Sequence, residues 1–371
     1  MSIPLQFRPA PGTAPAPAPA PATDELLEGR DAVLRALAAD FPGAAGGDAH
    51  GPVTASAAWV RRAVAAAPAG AVWGVLVRAG GAVALAALAD RVHDGGTSSD
   101  LLTGGDGYRS GVLTTPDLHA TADPVHWAVR LGEALARGAD HRRTALRLTG
   151  LPDSPAAHAL AAAAGAGTVE EAPVPVVERP VDGAHLVSAG MRKNLRKLTN
   201  RLATDGVRVD LALTRDPAAF EAALPELETA YRDRDLAHGV PCPLDTPAGR
   251  RTWLDRLAAL DEVGRRELAT LRLDGELAAY VVGVPGAGRY GVFDGRFVTR
   301  WARYSPGRAL EHAVLQHAFT DPATQVVDWM TGVAPETLLT VSRFEPRIAV
   351  HRAAPTSAVR ALAGVQPASA R

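Results

Sequence analysis

The chain has 371 residues, a single cysteine and a formal net charge of −1 at pH 7. This length exceeds that of an average single domain, so we expect two domains or one duplicated unit. The near-neutral charge does not point to a polyanionic partner. One cysteine, Cys242, excludes an intramolecular disulfide and is typical of a reducing compartment.

The N-terminus has no charged region followed by a long apolar run, so it does not resemble a secretory signal. No segment contains the roughly 20 apolar residues that span a bilayer. We therefore expect a soluble, cytoplasmic protein. Among 39 basic residues only Lys193 and Lys197 are lysines, and they lie about one helical turn apart.

The first half of the chain alternates helical and extended patterns. Residues 1–23 include a Pro/Ala repeat and are predicted to be a disordered arm, and 24–180 are predicted to be a first α+β unit. The polar stretch 94–124 is predicted to be mostly loop. The predicted elements are helices at 24–39, 56–66, 124–136 and 153–165, and extended segments at 72–78, 82–89, 111–113, 143–148 and 168–177.

The second half, 181–355, repeats this rhythm and is followed by a predicted flexible tail, 356–371. Asp274-Gly275 is a turn pair typical of a hairpin. The repeated order predicts a duplicated α+β fold. The predicted elements are helices at 188–203, 216–235, 246–260 and 307–319, and strands at 207–213, 267–273, 276–284, 290–293, 326–330 and 347–352.

A tight corner, Ser305-Pro306-Gly307, precedes the helix at 307–319. The first N–H groups of a helix have no partner within it and, with the helix dipole, favour an anion such as a pyrophosphate. Arg303 and Arg308 flank the corner and strengthen this interpretation, whereas Pro306 removes one N–H donor. A plain structural turn would explain proline and glycine equally well.

The helix at 188–203 carries cations opposite its apolar stripe. They could hold a phosphate-bearing substrate, or they could form an ordinary solvated face. The two lysines give the first interpretation the same weight as the second, because lysine offers a flexible point charge where the rest of the chain uses arginine. The cations are Arg192, Lys193, Arg196, Lys197 and Arg201.

The segment 231–239 alternates in charge sign. It is typical of a helix end with local ion pairs, or it places Asp235 and His238 at the lip of a cleft for proton transfer. His312 and His317 are five residues apart and lie on different helix faces, so they do not form a metal site. No serine-hydrolase elbow and no phosphate loop ending in Gly-Lys-Ser/Thr is found.

Four motifs occur in order over about residues 186–340: MRKNLRKLTNRL, LRLDGELAAYVVGV, ARYSPGRALEHAVLQHAF and VVDWMTG. Together they resemble the GNAT-type acetyltransferases that include FemAB-like and CelD-like proteins. The resemblance implies an α+β fold of two tandem GNAT-like domains, each with a central, mostly antiparallel sheet flanked by helices. The first domain would be the degenerate partner.

The chemistry that this resemblance implies is acyl transfer to an amine of a small molecule or a cell-envelope precursor. The donor would be an acyl-CoA, with acetyl-CoA first, or an aminoacyl-tRNA as in the FemABX branch. The amine would attack directly, so neither a covalent intermediate nor a metal is needed. A catalytically silent binding protein is a further alternative. No DNA partner is expected.

Residue roles follow from the same resemblance. Asp328 would be a base or an anchor for the acceptor ammonium, and Tyr304 a second catalytic residue. The family's Tyr-Lys pair after this aspartate is missing, and Glu336 stands nearby as a candidate contact for a cationic acceptor. The predicted donor contacts are Arg303, Ser305, Gly307, Arg308, Lys193 and Lys197; the predicted substrate contacts are Tyr280, Tyr290, Glu336 and His238.

Overall fold

The computed structural model describes residues 23–43, 53–79, 82–93, 96–103, 111–115, 123–181, 185–286, 288–330 and 340–355. Apart from Thr23, the predicted arm and tail lie outside this set, as does Glu336. The described strands join in one mixed, mostly antiparallel sheet. No described helix is both long and apolar enough to cross a membrane.

The α-helices of the described residues are α1 Arg30–Asp40, α2 Ala57–Ala66, α3 Pro124–Arg142, α4 Pro155–Ala163, α5 Ala189–Thr204, α6 Pro217–Ala237, α7 Pro247–Glu262 and α8 Pro306–Ala318. The strands are β1 Thr23–Glu28, β2 Val72–Ala79, β3 Ala82–His93, β4 Gly96–Leu101, β5 Leu113–Thr114, β6 Ala145–Pro152, β7 Gly167–Glu178, β8 Val209–Thr214, β9 Glu267–Leu273, β10 Glu276–Gly286, β11 Arg289–Phe297, β12 Val326–Asp328 and β13 Arg343–Arg352.

The sheet repeats one pattern twice. The N-terminal unit (β1–β6 with α1–α4) has the order β1-β2-β3-β4-β6, and the C-terminal unit (α5–α8 with β8–β12) has the order β8-β9-β10-β11-β12. In each unit the first four strands pair antiparallel. The last pair, β4–β6 or β11–β12, is parallel. The structure confirms the predicted duplication of an α+β unit.

The two units exchange their closing strands. β7 follows the N-terminal unit in the chain but pairs with β12, whereas β13, at the other end, pairs with β6. The two strands also pair with each other along their length. Ile348 and Val350 of β13 are buried in the core of the N-terminal unit. The domain limits at 180 and 355 stay predictions. They assign β7 to the first domain and β13 to the second, because they follow the order of the chain.

Two elements differ from the sequence-based prediction. Thr23–Glu28, expected to begin a helix, is edge strand β1, because its acids find partners outside it: Asp24 binds Arg130, and Glu25 binds Arg78. β4 lies in the stretch expected to be mostly loop. Its buried serine hydroxyls are satisfied by hydrogen bonds, as in Ser99 to Asp90 at 2.7 Å, so a polar sequence forms an inner strand.

Helices cover both faces of the C-terminal unit. Because strand side chains alternate, Ala279 and Val281 of β10 pack with α8, whereas Tyr280 and Val282 pack with α6 and α7. We call these the α8 face and the α6/α7 face. Trp59 of the N-terminal unit also belongs to the α6/α7-face cluster.

The strand exchange predicts that the two units unfold together. Ile348 lies on the last strand, β13, but its side chain is 2 % exposed and packs in the N-terminal core. Ile348→Ala removes this packing and should lower the free energy of unfolding by about 2–5 kcal/mol. Urea denaturation followed by tryptophan fluorescence and circular dichroism should show one transition, at lower urea. Two separate transitions, with only one shifted, would contradict this coupling.

Candidate functional site

β11 and β12 diverge after a short contact. They pair over three residues, the last pair being Gly291 with Asp328, and β11 then continues to Phe297. No described strand pairs with this side of β11 beyond Gly291. We call the resulting opening the splay and its closed end, at Gly291 and Asp328, the apex. An edge of this kind can bind an extended ligand through backbone hydrogen bonds.

A β-bulge lies inside the splay. Val282 of β10 pairs with Asp294 and its neighbour Gly283 with Val292, so Phe293 is an extra residue on β11. The bulge breaks the alternation of side chains. Phe293 and Asp294 therefore both face α6 and α7, where Asp294 accepts hydrogen bonds from buried side chains. Bulges are over-represented next to active sites, where they change the direction of a side chain.

The corner before α8 stands at the open end of the splay. A Cβ atom on Gly307 would lie 3.3 Å from Phe297 Cδ1, so the helix starts directly against the end of β11. Ser305 is left-handed (φ 45°) and makes no side-chain cap. The Ala309 N–H bonds the Ser305 carbonyl, and Pro306 has no N–H. Gly307 and Arg308 thus present the helix-end donors.

The corresponding helix of the N-terminal unit is different. α3 begins after Asp123, whose carboxylate accepts a hydrogen bond from Val125 N at 3.0 Å. A negative side chain already occupies that helix end and would repel a phosphate. Of the two helices that follow the fourth strand of a unit, α8 therefore has the N-terminus suited to an anion.

Tyr304 and Arg303 are directed toward α5. The buried Tyr304 hydroxyl donates to Asp205 at 2.8 Å, and Arg303 binds both this carboxylate at 3.0 Å and the Tyr304 hydroxyl. Arg201 donates to the Arg303 carbonyl at 2.6 Å. These bonds fix the corner to the end of α5. The predicted catalytic role of Tyr304 and donor role of Arg303 stay predictions.

The two lysines lie on an exposed row of α5. Lys193, Lys197 and Arg201 are four residues apart, so the row is about 12 Å long and ends beside Arg303. In the part of the chain that the structure describes, neither lysine makes an ion pair. Both interpretations made from the sequence, a solvated face and a phosphate contact, fit this placement.

The predicted substrate residues Tyr280 and Tyr290 lie on opposite faces of the sheet. The Tyr280 hydroxyl donates to Asp294 at 3.0 Å on the α6/α7 face, and the Tyr290 hydroxyl donates to Glu267 at 2.7 Å on the α8 face. Burial raises the pKa of both phenols, which keeps them protonated as donors. His238 is exposed at the end of α6.

Asp328 closes the apex. This residue is 1 % exposed, and its carboxylate accepts from Arg289 at 3.0 Å and from the Met330 N–H at 2.8 Å. Arg289 also binds Glu345 of β13 at 3.0 Å. The carboxylate therefore holds β11, β12 and the turn after them in place. Its predicted role as base or ammonium anchor is not tested by this geometry.

Sequence analysis missed an acidic group beside the bulge. Asp294 accepts from Tyr280, from Trp253 Nε1 at 3.2 Å and from Arg296 at 2.9 Å. Arg296 stacks on the Tyr231 ring at 4.1 Å. Asp294 directly follows the predicted strand 290–293, whose residues are apolar and aromatic, so periodicity does not reveal it.

The alternating segment after Tyr231 makes mainly long-range contacts. Asp233 accepts from Thr299 N at 2.6 Å, and Arg234 stacks on Phe297 at 4.3 Å. Asp235 is buried, 3.7 Å from Arg296. Arg232 makes the expected local pair, with Glu228 at 3.3 Å. The segment thus connects α6 to β11 and the corner, and no side-chain hydrogen bond joins Asp235 to the exposed His238.

Another buried carboxylate, Glu267, lies on the α8 face. It is 3 % exposed and contacts Tyr290, Arg215 at 2.9 Å and His317 at 3.0 Å. Burial by itself would raise the pKa of Glu267, but the hydrogen bonds from Tyr290 and Arg215 and the contact with His317 outweigh it and lower the pKa. No metal-binding group of acids, histidines and cysteine occurs among the described residues.

The lowered pKa of Glu267 predicts a pH-dependent contribution to stability. The unfolded carboxylate takes up its proton near the ordinary value of 4.5, before the folded one does. The contribution is therefore present above pH 4.5 and is lost as the pH falls through the lower folded pKa. Glu267→Gln should lower the unfolding free energy at pH 7 by about 1–3 kcal/mol, because the negative charge is lost and one of the two acceptor oxygens becomes an NH2 group that cannot accept.

Urea denaturation of both proteins at several pH values checks this prediction. The difference between them should narrow below pH 4.5. A difference that stays constant down to the acid limit would contradict the lowered pKa. Glu133→Gln, on an exposed carboxylate of α3, is the matched control.

Comparison with known proteins agrees with this architecture. Residues 189–336, less than half of the chain, match the family described as an acetyltransferase (GNAT) domain. A search of curated proteins finds no significant match. A conserved protein of unknown function from Bacteroides thetaiotaomicron VPI-5482 shares the fold, with a TM-score of 0.52, 11 % identity, and coverage of 81 % of this chain and 90 % of that one.

Two further solved structures resemble the chain more weakly. FemX has a TM-score of 0.49 and 9 % identity, covering 76 % of this chain and 86 % of its own. A tandem GNAT protein from the clavulanic acid biosynthesis pathway has a TM-score of 0.43 and 17 % identity, with coverage of 90 % and 99 %. The family match over residues 189–336 thus places a region similar to a GNAT acetyltransferase domain in the C-terminal half of the chain.

Proposed function

We propose that the protein transfers an acyl group from an acyl-CoA, with acetyl-CoA as the first candidate, to an amine of a small molecule or a cell-envelope precursor. The observation that carries this proposal is the splay with an uncapped helix, α8, at its open end. An acyl-CoA fits such a site, because its phosphates need the donors of a helix N-terminus and its thioester arm needs an open strand edge.

The phosphates of the donor would lie in front of α8. The N–H groups of Gly307 and Arg308 offer hydrogen bonds there, and the helix dipole favours negative charge. Ser305, Arg303 and the guanidinium of Arg308 surround the same corner. Lys193 and Lys197 extend the positive surface along α5, and Tyr304 supports it by fixing α5 to the corner.

The thioester arm would follow β11 toward the apex. From Phe297 at the open end to the bulge at Phe293 is four residues, or about 13 Å of strand. This path brings the acyl carbonyl to the bulge. A backbone N–H of the segment 292–297 would polarise the carbonyl oxygen in the way that oxyanion holes do. The fold supplies the position and requires no nucleophilic side chain.

The acceptor amine would reach the thioester carbonyl near the bulge and the apex. Its lone pair attacks the thioester carbonyl, its proton passes to a carboxylate, and the thiolate leaves and is protonated. Asp294 is next to the bulge and Asp328 is at the apex, so each is within the region where that proton is released. Tyr280, Tyr290, His238 and Glu336 stay predicted acceptor contacts.

Charge reversal at Arg308 tests the donor site. Arg308→Glu places a negative charge on the third residue of α8 and should weaken acetyl-CoA binding by at least about tenfold, since it opposes the phosphates and the dipole. Isothermal titration calorimetry with acetyl-CoA and longer acyl-CoAs measures this. Arg251→Glu, on an exposed turn of α7, is the control and should bind as wild type does. Absence of binding to every acyl-CoA by the wild type would refute the proposal.

The base is tested by a pair of matched substitutions. Asp294→Asn and Asp328→Asn keep the side-chain size and remove one charge. The variant that lacks the base should lose about 10²–10⁴ in kcat with little change in the KM for the donor. The other should show mainly lower stability. Steady-state kinetics across pH, with thermal melts of both variants, separates the two. Near-wild-type kcat in both would exclude a carboxylate base at either position.

An aminoacyl-tRNA donor is the second candidate. The observation that favours it is the exposed row of Lys193, Lys197 and Arg201, which suits a backbone of phosphates. In the same calorimetry, charged tRNA should then bind with a steep salt dependence that Lys193→Ala plus Lys197→Ala reduces. A flat salt response with tight acyl-CoA binding favours the first candidate.

A further inference from the structure

We propose that Trp59, a residue of the N-terminal unit, forms the end wall of the acyl pocket and limits the length of the acyl chain that the enzyme transfers. This inference rests on the proposed function. It assigns to the N-terminal unit a part in the specificity of a site built by the C-terminal unit.

Trp59 leaves its own unit and packs in the other. α2 directs Ala57, Val60 and Val64 into the core of the N-terminal unit, together with α1, β2 and β3. Trp59, on the same helix, is 6 % exposed and belongs instead to the cluster under α6 and α7. Its ring meets the Phe293 ring edge-on, with 5.9 Å between centroids and 81° between planes. The bulge residue of β11 therefore contacts the N-terminal unit.

The helix that carries Trp59 is fixed on the C-terminal unit. Arg62, one turn further along α2, binds Glu262 and lies 3.4 Å from Asp255, both on α7. Ser56 caps the start of α2 by accepting from Trp59 N at 3.3 Å. Arg256 of α7 lies over the indole at 5.9 Å. Since contacts on both sides of the residue hold it, the indole cannot move aside easily for a larger ligand.

The position of Phe293 relates this wall to the donor. An arm that enters at Gly307 and follows β11 reaches the bulge with its thioester, and the acyl chain then points past Phe293. On the α6/α7 face Phe293 packs among apolar side chains, while the neighbouring Asp294 is occupied by its hydrogen bonds from Tyr280, Trp253 and Arg296. Met330 closes the apex side, because a Cβ on Gly291 would lie 3.6 Å from its Sδ atom. Trp59 closes the far side behind Phe293.

A rigid aromatic end wall discriminates by length. Each methylene that does not fit in an apolar pocket changes kcat/KM by about 10–200-fold. Tryptophan and phenylalanine have few rotatable bonds, so the pair has little freedom to yield. A short acyl group fits in front of the two rings, and a longer chain collides with them. Removing the indole should extend the pocket by the volume of that side chain.

The experiment is a series of acyl-CoA donors from acetyl to octanoyl with one amine acceptor. Trp59→Leu should raise kcat/KM for medium-length chains relative to acetyl-CoA by at least about tenfold. Binding of CoA without an acyl group should stay within about twofold of wild type, because the phosphate end is untouched. Lower activity with an unchanged order of chain lengths would overturn the role of Trp59.

Two further variants guard against a loss of folding. Phe293→Leu shortens the other ring of the contact and should shift the order of chain lengths in the same direction. Trp127→Leu removes a tryptophan, 5 % exposed, from the N-terminal core, and should lower stability without changing that order. Failure of the wild type to bind any acyl-CoA would refute the proposed function. An unchanged order in active Trp59 and Phe293 variants would refute only this inference.

Discussion

The ion pairs of Arg289 determine where the two strands of the site separate. Its guanidinium binds Asp328 at the end of β12 and Glu345 on β13, while its backbone starts β11. Asp328 is buried, so losing its cation would leave a charge in a region with little water. The three strands are thus held together at one point. Beyond it β11 follows β10, β12 ends, and the splay opens between them.

The exchange of β7 and β13 also joins the two units. β13 follows the C-terminal unit in sequence but pairs with β6 of the N-terminal unit. β7 lies between the units in sequence and pairs with β12 of the C-terminal unit. The duplicated helices have also diverged: Asp123 fills the N-terminus of α3, whereas Ser305 leaves that of α8 uncapped. Duplication has thus produced one unit whose helix end is filled by a carboxylate and one whose helix end is uncapped.

Sequence patterns predicted the architecture better than the site. Periodicity and turn residues placed most helices and strands, and the Ser-Pro-Gly corner marked the start of α8 correctly. The patterns failed to predict two strands whose tertiary contacts override local preference. The acids of β1 are neutralised by distant arginines, and the serines of β4 can be buried because hydrogen bonds satisfy their hydroxyls. Asp294 was missed for a related reason. A bulge changes the face of the sheet on which a side chain lies, and no residue type in β11 predicts that a bulge occurs there.

The N-terminal unit covers the face of the sheet behind the bulge. A lone C-terminal unit would leave Phe293 and its neighbours open to water on the side where Trp59 now packs. An acyl carbonyl in such an exposed cleft would compete with solvent for every hydrogen bond that polarises it, whereas a dry wall strengthens those bonds. Covering this face with a fixed helix, held by Arg62 on α7, keeps water away from Phe293. Under the proposed function, the N-terminal unit would therefore shape the cleft in which the C-terminal unit holds the donor.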